Sequence, residues 1–171
     1  MLSSFVLSQI LIAVAIGVDI LSFQFKERRK ILACLVVSTL LISGHFMLLE
    51  HWTAAFLGLL SVARYSSSLI TTSRRVMWLF LISVFAISAF SFEGTLSILG
   101  GVATAVTTIA AFGKDDKRLR QLMLLGTAIW IVHNYLAGSP GAVLMEAIFI
   151  TSNLVGYFRY YIKPRYETFR L

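Results

Sequence analysis

The sequence has few charged residues for a chain of its length. Lys, Arg, Asp and Glu make up 13% of the 171 residues, whereas hydrophobic residues make up 58%. A water-soluble domain carries about 25% charged residues, and a chain of this size cannot bury so many apolar side chains in one core. The charges occur in short clusters between apolar runs of roughly membrane-spanning length. The sequence therefore predicts an all-α, multi-pass membrane protein.

Cysteines and the motifs of common catalytic sites are also scarce or absent. The single cysteine, Cys34, excludes an internal disulfide and a metal site built from several cysteines. The motifs HExxH, CxxC and GxSxG and a glycine-rich phosphate loop do not occur. We therefore expect no catalytic residues, no cofactor and no metal, and we do not expect an enzyme. No Lys or Arg precedes the first apolar run, so we expect that run to be retained as a helix.

Seven apolar runs predict seven transmembrane helices in one membrane domain. They cover roughly residues 5–23, 31–49, 53–72, 76–92, 95–112, 121–138 and 142–161. Several connections are short, so consecutive helices are expected to be antiparallel. The sequence Ser139-Pro140-Gly141 is typical of a turn and separates the last two runs.

The basic residues predict the orientation of these helices. Fourteen of the 15 lysines and arginines lie in alternate connections and at the C-terminal end, all on one predicted side of the membrane. Because basic residues concentrate on the cytoplasmic side, the N-terminus is predicted outside and the C-terminus inside. The net charge of +7 is thus a topology signal beside lipid headgroups, and nucleic acid is not an expected partner.

An offset of 88 positions relates two stretches of the chain. It places Lys26 on Lys114 and His45 on His133. It also pairs identical residues on one stripe of the first and fifth runs, namely Ile10, Leu11, Val14, Ala15 and Val18 with Ile98, Leu99, Val102, Ala103 and Val106. We interpret this agreement as an internal repeat. Chance matching is the alternative, because apolar helices share few residue types.

The repeat predicts a 3+1+3 arrangement of the spans. Unit A covers residues 1–72, a linker helix covers 76–92, unit B covers 95–162, and a short basic tail covers 163–171. Four crossings separate the first span from the fifth, so both units point the same way through the membrane. Transporters built from parallel repeats place their binding site where the repeats meet.

Two ionisable residues, Asp19 and Arg64, lie inside predicted spans of unit A. Each costs about 2.5 kcal/mol or more on membrane-insertion scales. Opposite charges on two neighbouring helices offset this cost when they meet, and Arg64 is long enough to lean toward Asp19. Three interpretations remain open at this point: a structural ion pair between the first and third spans, an ion pair that lines a substrate site, and two separate snorkelling residues.

Six further residues are candidates for a site. Asn153 and Asn134 carry amides that suit a neutral polar solute but also join helices, and Tyr65 could wall a pocket. His45 and His133 lie near the outer ends of the second and sixth spans, where they could flank an access path or hydrogen-bond a neighbouring helix. Glu146 is predicted near the outer surface, as an outer gate or an interfacial residue.

The segments FKERRK, LLISGH and LLSVARY, together with the 3+1+3 arrangement, resemble the bacterial inner-membrane YgjV family, whose function is uncharacterised. The arrangement is also similar to that of SWEET and PQ-loop transporters. That resemblance implies facilitated movement of small sugars through a central pocket with asparagines from the third and seventh spans. Asn153 suits the seventh span, but the third span offers Arg64 and Tyr65 and no asparagine, and the Pro-Gln signature is absent.

We therefore expect a transporter or facilitator of a small polar solute, including an anionic one, in the bacterial inner membrane. Arg64 would anchor the solute, Asp19 would hold Arg64 ready, and Asn153 would hydrogen-bond the solute. The lipid bilayer is the expected partner, and a homo-oligomer is compatible with this interpretation. A non-transporting scaffold or partner subunit is the alternative, and a membrane-embedded enzyme is the least favoured.

Overall fold

The computed structural model of the protein describes residues 4–164, and this part of the chain is helical, without strands. The predicted basic tail covers residues 163–171, and its residues from 165 onward, including Arg165 and Arg170, lie outside the described residues. The helices are α1 Ser4–Ser22, α2 Arg28–Leu48, α3 Trp52–Ile70, α4 Arg74–Phe90, α5 Thr95–Phe112, α6 Asp116–Leu136 and α7 Pro140–Tyr157, and a π-helical turn, Phe158–Ile162, continues α7.

Local sequence signals explain several helix ends. The Asp115 carboxylate accepts a hydrogen bond from the Lys117 amide at 2.9 Å and so caps the start of α6. Pro140 occupies the first turn of α7, where its missing amide hydrogen costs nothing. Gly138, with φ of +65°, provides the left-handed residue between α6 and α7.

The prediction for the sixth span placed its start too late in the chain. It began the span at residue 121, but α6 begins at Asp116 and includes Arg120, which is completely buried. Hydropathy excluded this first turn because of its charged residues. The helix nevertheless continues through them, because Arg120 finds backbone acceptors inside the bundle.

Five of the described helices are long and apolar enough to cross a membrane: Ser4–Ser22, Arg28–Leu48, Trp52–Ile70, Thr95–Phe112 and Pro140–Ile162. Their outer surfaces are apolar. Ile10, Val14, Ile98 and Val102, which belong to the stripe shared by the first and fifth runs, are all more than 40% exposed. In water this surface would be unfavourable, whereas in a bilayer it faces hydrocarbon of matching polarity.

Six of the helices pack side by side in a closed ring. In order around the ring, α1 contacts α2, α2 contacts α3, α3 contacts α5, α5 contacts α6, α6 contacts α7, and α7 contacts α1. Helix α4 lies outside this ring against α3 and α5, and only Leu81 and Val84 of α4 are buried. The interior of the ring is therefore formed by α1–α3 and α5–α7.

Two apolar clusters fill most of the interior. One lies toward the ends of the helices that carry the basic connections and includes Phe23, Ile31, Leu119 and Phe149. The other lies toward the opposite end and includes Ile12, Phe46, Ala54 and Met145. Members of both clusters border the polar space described next, which lies between them.

Candidate functional site

A cavity of about 80 Å³ lies inside the ring, and all six ring helices contribute to its wall. Its polar side chains are Asp19, Ser38, Thr39, Ser61, Arg64, Thr107, Thr127 and Glu146. Its aromatic side chains are Phe46, Tyr65, Trp130 and Phe149. The volume exceeds the roughly 10–15 Å³ that one water requires. It is below the roughly 300–1,000 Å³ of drug-sized ligand pockets, so this conformation accommodates only a small solute.

Arg64, on α3, is 1% exposed and is held by α5. Its Nη1 donates to the hydroxyls of Thr107 and Thr108, both at 2.8 Å, and to the Thr104 carbonyl at 2.9 Å. Its Nη2 donates to the Ser61 hydroxyl at 3.1 Å, and its guanidinium lies 4.2 Å from the centre of the Tyr65 ring. Most of the donors of Arg64 are thus already used by the protein.

Asp19, on α1, lines the same cavity but does not pair with Arg64. Within residues 4–164 the structure forms one ion pair, between Lys30 and Glu27, so the predicted Asp19–Arg64 ion pair is wrong for this structure. Asp19 is 2% exposed, and its Oδ1 has no hydrogen-bond partner. The Ser38 hydroxyl lies beside it and can satisfy a lone pair, but a neutral hydroxyl cannot balance a buried charge.

Glu146, on α7, also lines the cavity, whereas the sequence placed it near the outer surface as an outer gate or an interfacial residue. Its side chain forms no hydrogen bond or ion pair with any described residue. The carboxylates of Asp19 and Glu146 therefore share one cavity without a protein cation bound to either of them. Such groups are expensive inside a membrane, and they are typical of sites for ions, protons or substrates.

The two histidines lie outside the cavity wall, so the structure does not show them flanking a path. The ring of His45 contacts the Ser8 carbonyl and the Ser139 hydroxyl, both at 3.0 Å, and thereby joins α2 to α1 and to the start of α7. His133 contacts the Asn134 side-chain oxygen at 3.0 Å and packs against the Trp130 ring at 4.7 Å.

The two asparagines likewise do not line the cavity. Asn134 is 1% exposed, and its side-chain oxygen lies within hydrogen-bond distance of the His133 ring. Asn153 is completely buried, and its Nδ2 donates to the Arg120 carbonyl at 2.9 Å. Of the five predicted solute-binding residues, Asp19, Arg64 and Tyr65 thus reach the cavity. Asn153 joins α7 to α6, and Asn134 contacts its neighbour His133 within α6.

Two arginines at one end of the bundle, the completely buried Arg120 and the half-buried Arg28, were not recognised in the sequence as residues that reach the interior. Arg28 donates to the carbonyls of Ser68, at 2.9 Å, and Ala111, and so bridges the ends of α3 and α5. Arg120 donates to the carbonyls of Phe23, at 3.3 Å, and Phe25, at 2.6 Å, just beyond α1. Their positions near the starts of α2 and α6, close to the free carbonyls of neighbouring helix ends, were the available signal.

The chain matches the Imp-YgjV family, which is described as bacterial inner membrane protein, over residues 6–163. It is also similar to the inner membrane protein YgjV of Escherichia coli (strain K12), with 28% identity over 148 residues that cover 86% of this chain and 81% of that protein. No solved structure matches the chain significantly, so the expected likeness to SWEET and PQ-loop proteins stays a prediction. The chain belongs to the Imp-YgjV family and is a multi-pass protein of the bacterial inner membrane.

Proposed function

We propose that the protein is a transporter or facilitator that passes a small polar solute through the cavity inside the helix ring. The observation that carries this proposal is the polar cavity itself, which contains two carboxylates that form no ion pair with a cationic side chain of residues 4–164. A purely structural bundle would gain stability by replacing Asp19 and Glu146 with apolar residues, because buried charges lose their hydration. Retaining them is consistent with a function that requires charge at the centre of the bundle.

The internal repeat is part of this proposal, and several features support it. Helices α2 and α6 begin and end 88 positions apart, at Arg28 and Asp116 and at Leu48 and Leu136. The same offset relates residues on opposite walls of the cavity, namely Asp19 and Thr107, Leu35 and Met123, Thr39 and Thr127, Ile42 and Trp130, Gly58 and Glu146, and Ser61 and Phe149. These pairs support the proposal that the cavity lies at the junction of two equivalent halves.

The order of helices around the ring agrees with two parallel units. The offset of 88 positions relates α1 to α5 and α3 to α7. The contact between α3 and α5 therefore corresponds to the contact between α7 and α1, so the two units would meet at two equivalent junctions. Helix α4 has no counterpart in this scheme and lies outside the ring, as expected for a linker helix. We include α4 and α6 among the spans, although α4 has only 17 residues and α6 begins with a charged turn.

The proposed orientation predicts which side of the membrane each connection faces. In a Cys34→Ser background, Glu50→Cys is expected to react with an impermeant maleimide in intact spheroplasts, because the connection after α2 lies outside. Lys26→Cys, in the connection after α1, is expected to react only after lysis. The reverse pattern of labelling would exclude an outside N-terminus, and a maleimide that crosses membranes serves as the control for reactivity.

A cavity-filling substitution tests the transport proposal directly. Thr127 lines the cavity, is 3% exposed and forms no side-chain hydrogen bond with any described residue. Thr127→Leu is expected to reduce solute flux into proteoliposomes by about tenfold or more, because the larger side chain fills much of the cavity. The flux of the native protein is first measured with a panel of labelled amines, amino acids, carboxylates and sugars, which identifies the solute to use.

The neighbouring position provides a matched control for this experiment. Ala128 is exposed on the outer surface of α6, so Ala128→Leu adds a comparable apolar side chain toward lipid. It is expected to leave flux unchanged. No flux of any panel member above that of empty liposomes would contradict the transport proposal and favour the scaffold alternative, as would equal flux in the two variants.

A further inference from the structure

We propose that the solute of this cavity is a small protonated amine, which binds between Asp19 and Glu146 in exchange for a proton. This inference deepens the proposed transport function and depends on it. It starts from the balance of charge in the cavity, because a net charge buried in a membrane protein is costly unless a partner compensates it.

The charged groups around the cavity sum to one negative charge when all are ionised. Helix α1 provides Asp19, α7 provides Glu146, and α3 provides Arg64 together with the neutral phenol of Tyr65. Helix α2 places the half-buried thiol of Cys34 near Asp19, outside the cavity wall. The residues from α5 and α6 that line the cavity carry no charge: Thr107, Met123, Thr127 and Trp130.

One bound monovalent cation would therefore neutralise the cavity. Arg64 cannot balance both carboxylates, because it carries one charge and its guanidinium is directed by hydrogen bonds to α5 and Ser61. This same use of its donors argues against the anionic solute expected from the sequence. An anion would raise the negative charge of the cavity instead of compensating it.

The lining favours an organic cation over a divalent metal ion. Within residues 4–164, no three His, Cys, Asp or Glu side chains come close enough to hold a metal, and calcium or magnesium needs about six or more oxygen ligands. The aromatic rings of Phe46, Trp130 and Phe149 offer apolar walls and negative faces that attract an alkylammonium group. An ammonium also donates hydrogen bonds that two carboxylates accept.

The volume limits the size of this cation. A cavity of about 80 Å³ suits a molecule of a few heavy atoms, such as methylammonium or ethylammonium, and is small for choline or a sugar. Ser38 and Thr39 on α2 and Thr127 on α6 provide hydroxyls in the cavity wall for remaining N–H groups or a retained water.

A proton replaces the amine in the empty state. When the cavity contains no amine, one of the two carboxylates binds a proton, and the cavity is again neutral. When the protonated amine enters, it forms charge-assisted hydrogen bonds with both carboxylates, and that proton leaves to solvent. One positive charge enters and one leaves, so the net charge of the cavity is conserved and the cycle is an exchange of amine for proton.

Isothermal titration calorimetry of the purified full chain tests this inference. Methylammonium and ethylammonium are titrated at one pH in two buffers of different ionisation enthalpy, with glucose, acetate, sodium and potassium as comparison solutes. We expect binding of the amines with release of one proton per amine. We expect Asp19→Asn and Glu146→Gln each to weaken binding by about tenfold or more, because each removes a charged partner of the ammonium.

Glu50→Gln is the matched control, since Glu50 is exposed in the connection after α2 and its loss is expected to leave binding unchanged. Amine binding without proton release would overturn the proposed exchange of amine for proton. Equal binding of sodium or potassium would overturn the assignment of the solute as an amine. Binding of glucose or acetate but not of amines would overturn this inference and leave the transport proposal standing. The absence of binding by every solute, with no flux in proteoliposomes, would overturn both.

Discussion

Arg64→Met is expected to destabilise the protein by about 3–5 kcal/mol, the usual cost of removing one partner from a buried charged network. The substitution keeps a long, flexible side chain but removes three hydrogen bonds to α5 and one to Ser61. It also leaves Asp19 and Glu146 in a cavity with no positive charge. The measurement is the thermal unfolding midpoint of the purified protein in detergent, which is expected to fall by several degrees or more.

The matched control for this prediction is Arg74→Met. Arg74 lies at the exposed start of α4, so the same change of residue type there is expected to leave the midpoint nearly unchanged. An equal loss of stability in the two variants would show that the contacts of Arg64 with α5 do not stabilise the bundle.

Asp19→Asn separates this interpretation from a structural ion pair. Because Asp19 Oδ1 has no hydrogen-bond partner and no ion pair forms, replacing the carboxylate with a neutral amide is expected to keep or raise the midpoint. A structural Asp19–Arg64 pair would instead make Asp19→Asn as well as Arg64→Met strongly unstable. A large loss of stability in Asp19→Asn would therefore contradict the arrangement described for α1 and α3.

Gly156→Ala is expected to destabilise the protein by about 1–3 kcal/mol, in the range of overpacked interiors. A β-carbon at this position would lie 2.5 Å from Arg120 Nη1 and 2.6 Å from the Phe23 carbonyl oxygen. The guanidinium could shift, but the carbonyl belongs to the backbone at the end of α1. Either α7 must move away from α1, or the hydrogen bond from Arg120 to Phe23 must break.

Gly17→Ala is the control, since a β-carbon at Gly17 would have no atom within 4 Å beyond its chain neighbours and the nearby backbone of α1 itself. It is expected to leave the midpoint unchanged or to raise it slightly, because alanine favours the helix more than glycine does. Both variants are compared by thermal unfolding in the same detergent. A midpoint for Gly156→Ala as high as that for Gly17→Ala would mean that α1 and α7 do not approach as closely at this end as the structure describes.

The hydropathy pattern predicted most of the secondary structure. The described residues form seven helices close to the seven predicted runs, because each run combines apolar length with polar or turn residues at its ends. The start of α6 was the clearest error. A hydropathy pattern cannot anticipate that Arg120 enters the interior, because its acceptors, the carbonyls of Phe23 and Phe25, lie far away in the sequence.

The structure brings some of the predicted site residues to one cavity and leaves others elsewhere, and their role in binding a solute stays a prediction. Asp19, Arg64, Tyr65 and Glu146 all line the cavity, and the cost of ionisable side chains in a membrane pointed to three of them. His45, His133, Asn134 and Asn153 carry a similar signal but do not line it. A polar residue in an apolar helix must find some partner, and the sequence alone does not distinguish a helix contact from a cavity.

The sequence by itself determined that this protein is a helical membrane protein and that a few ionisable groups lie within its spans. Those properties follow from the free energy of transferring each side chain from water to lipid, which depends on composition and run length. Only the tertiary structure decided that Arg64 bonds to the hydroxyls of α5 and leaves Asp19 unpaired. A buried charge requires compensation whatever the fold. Which partner provides it depends on how each helix is rotated and packed against its neighbours.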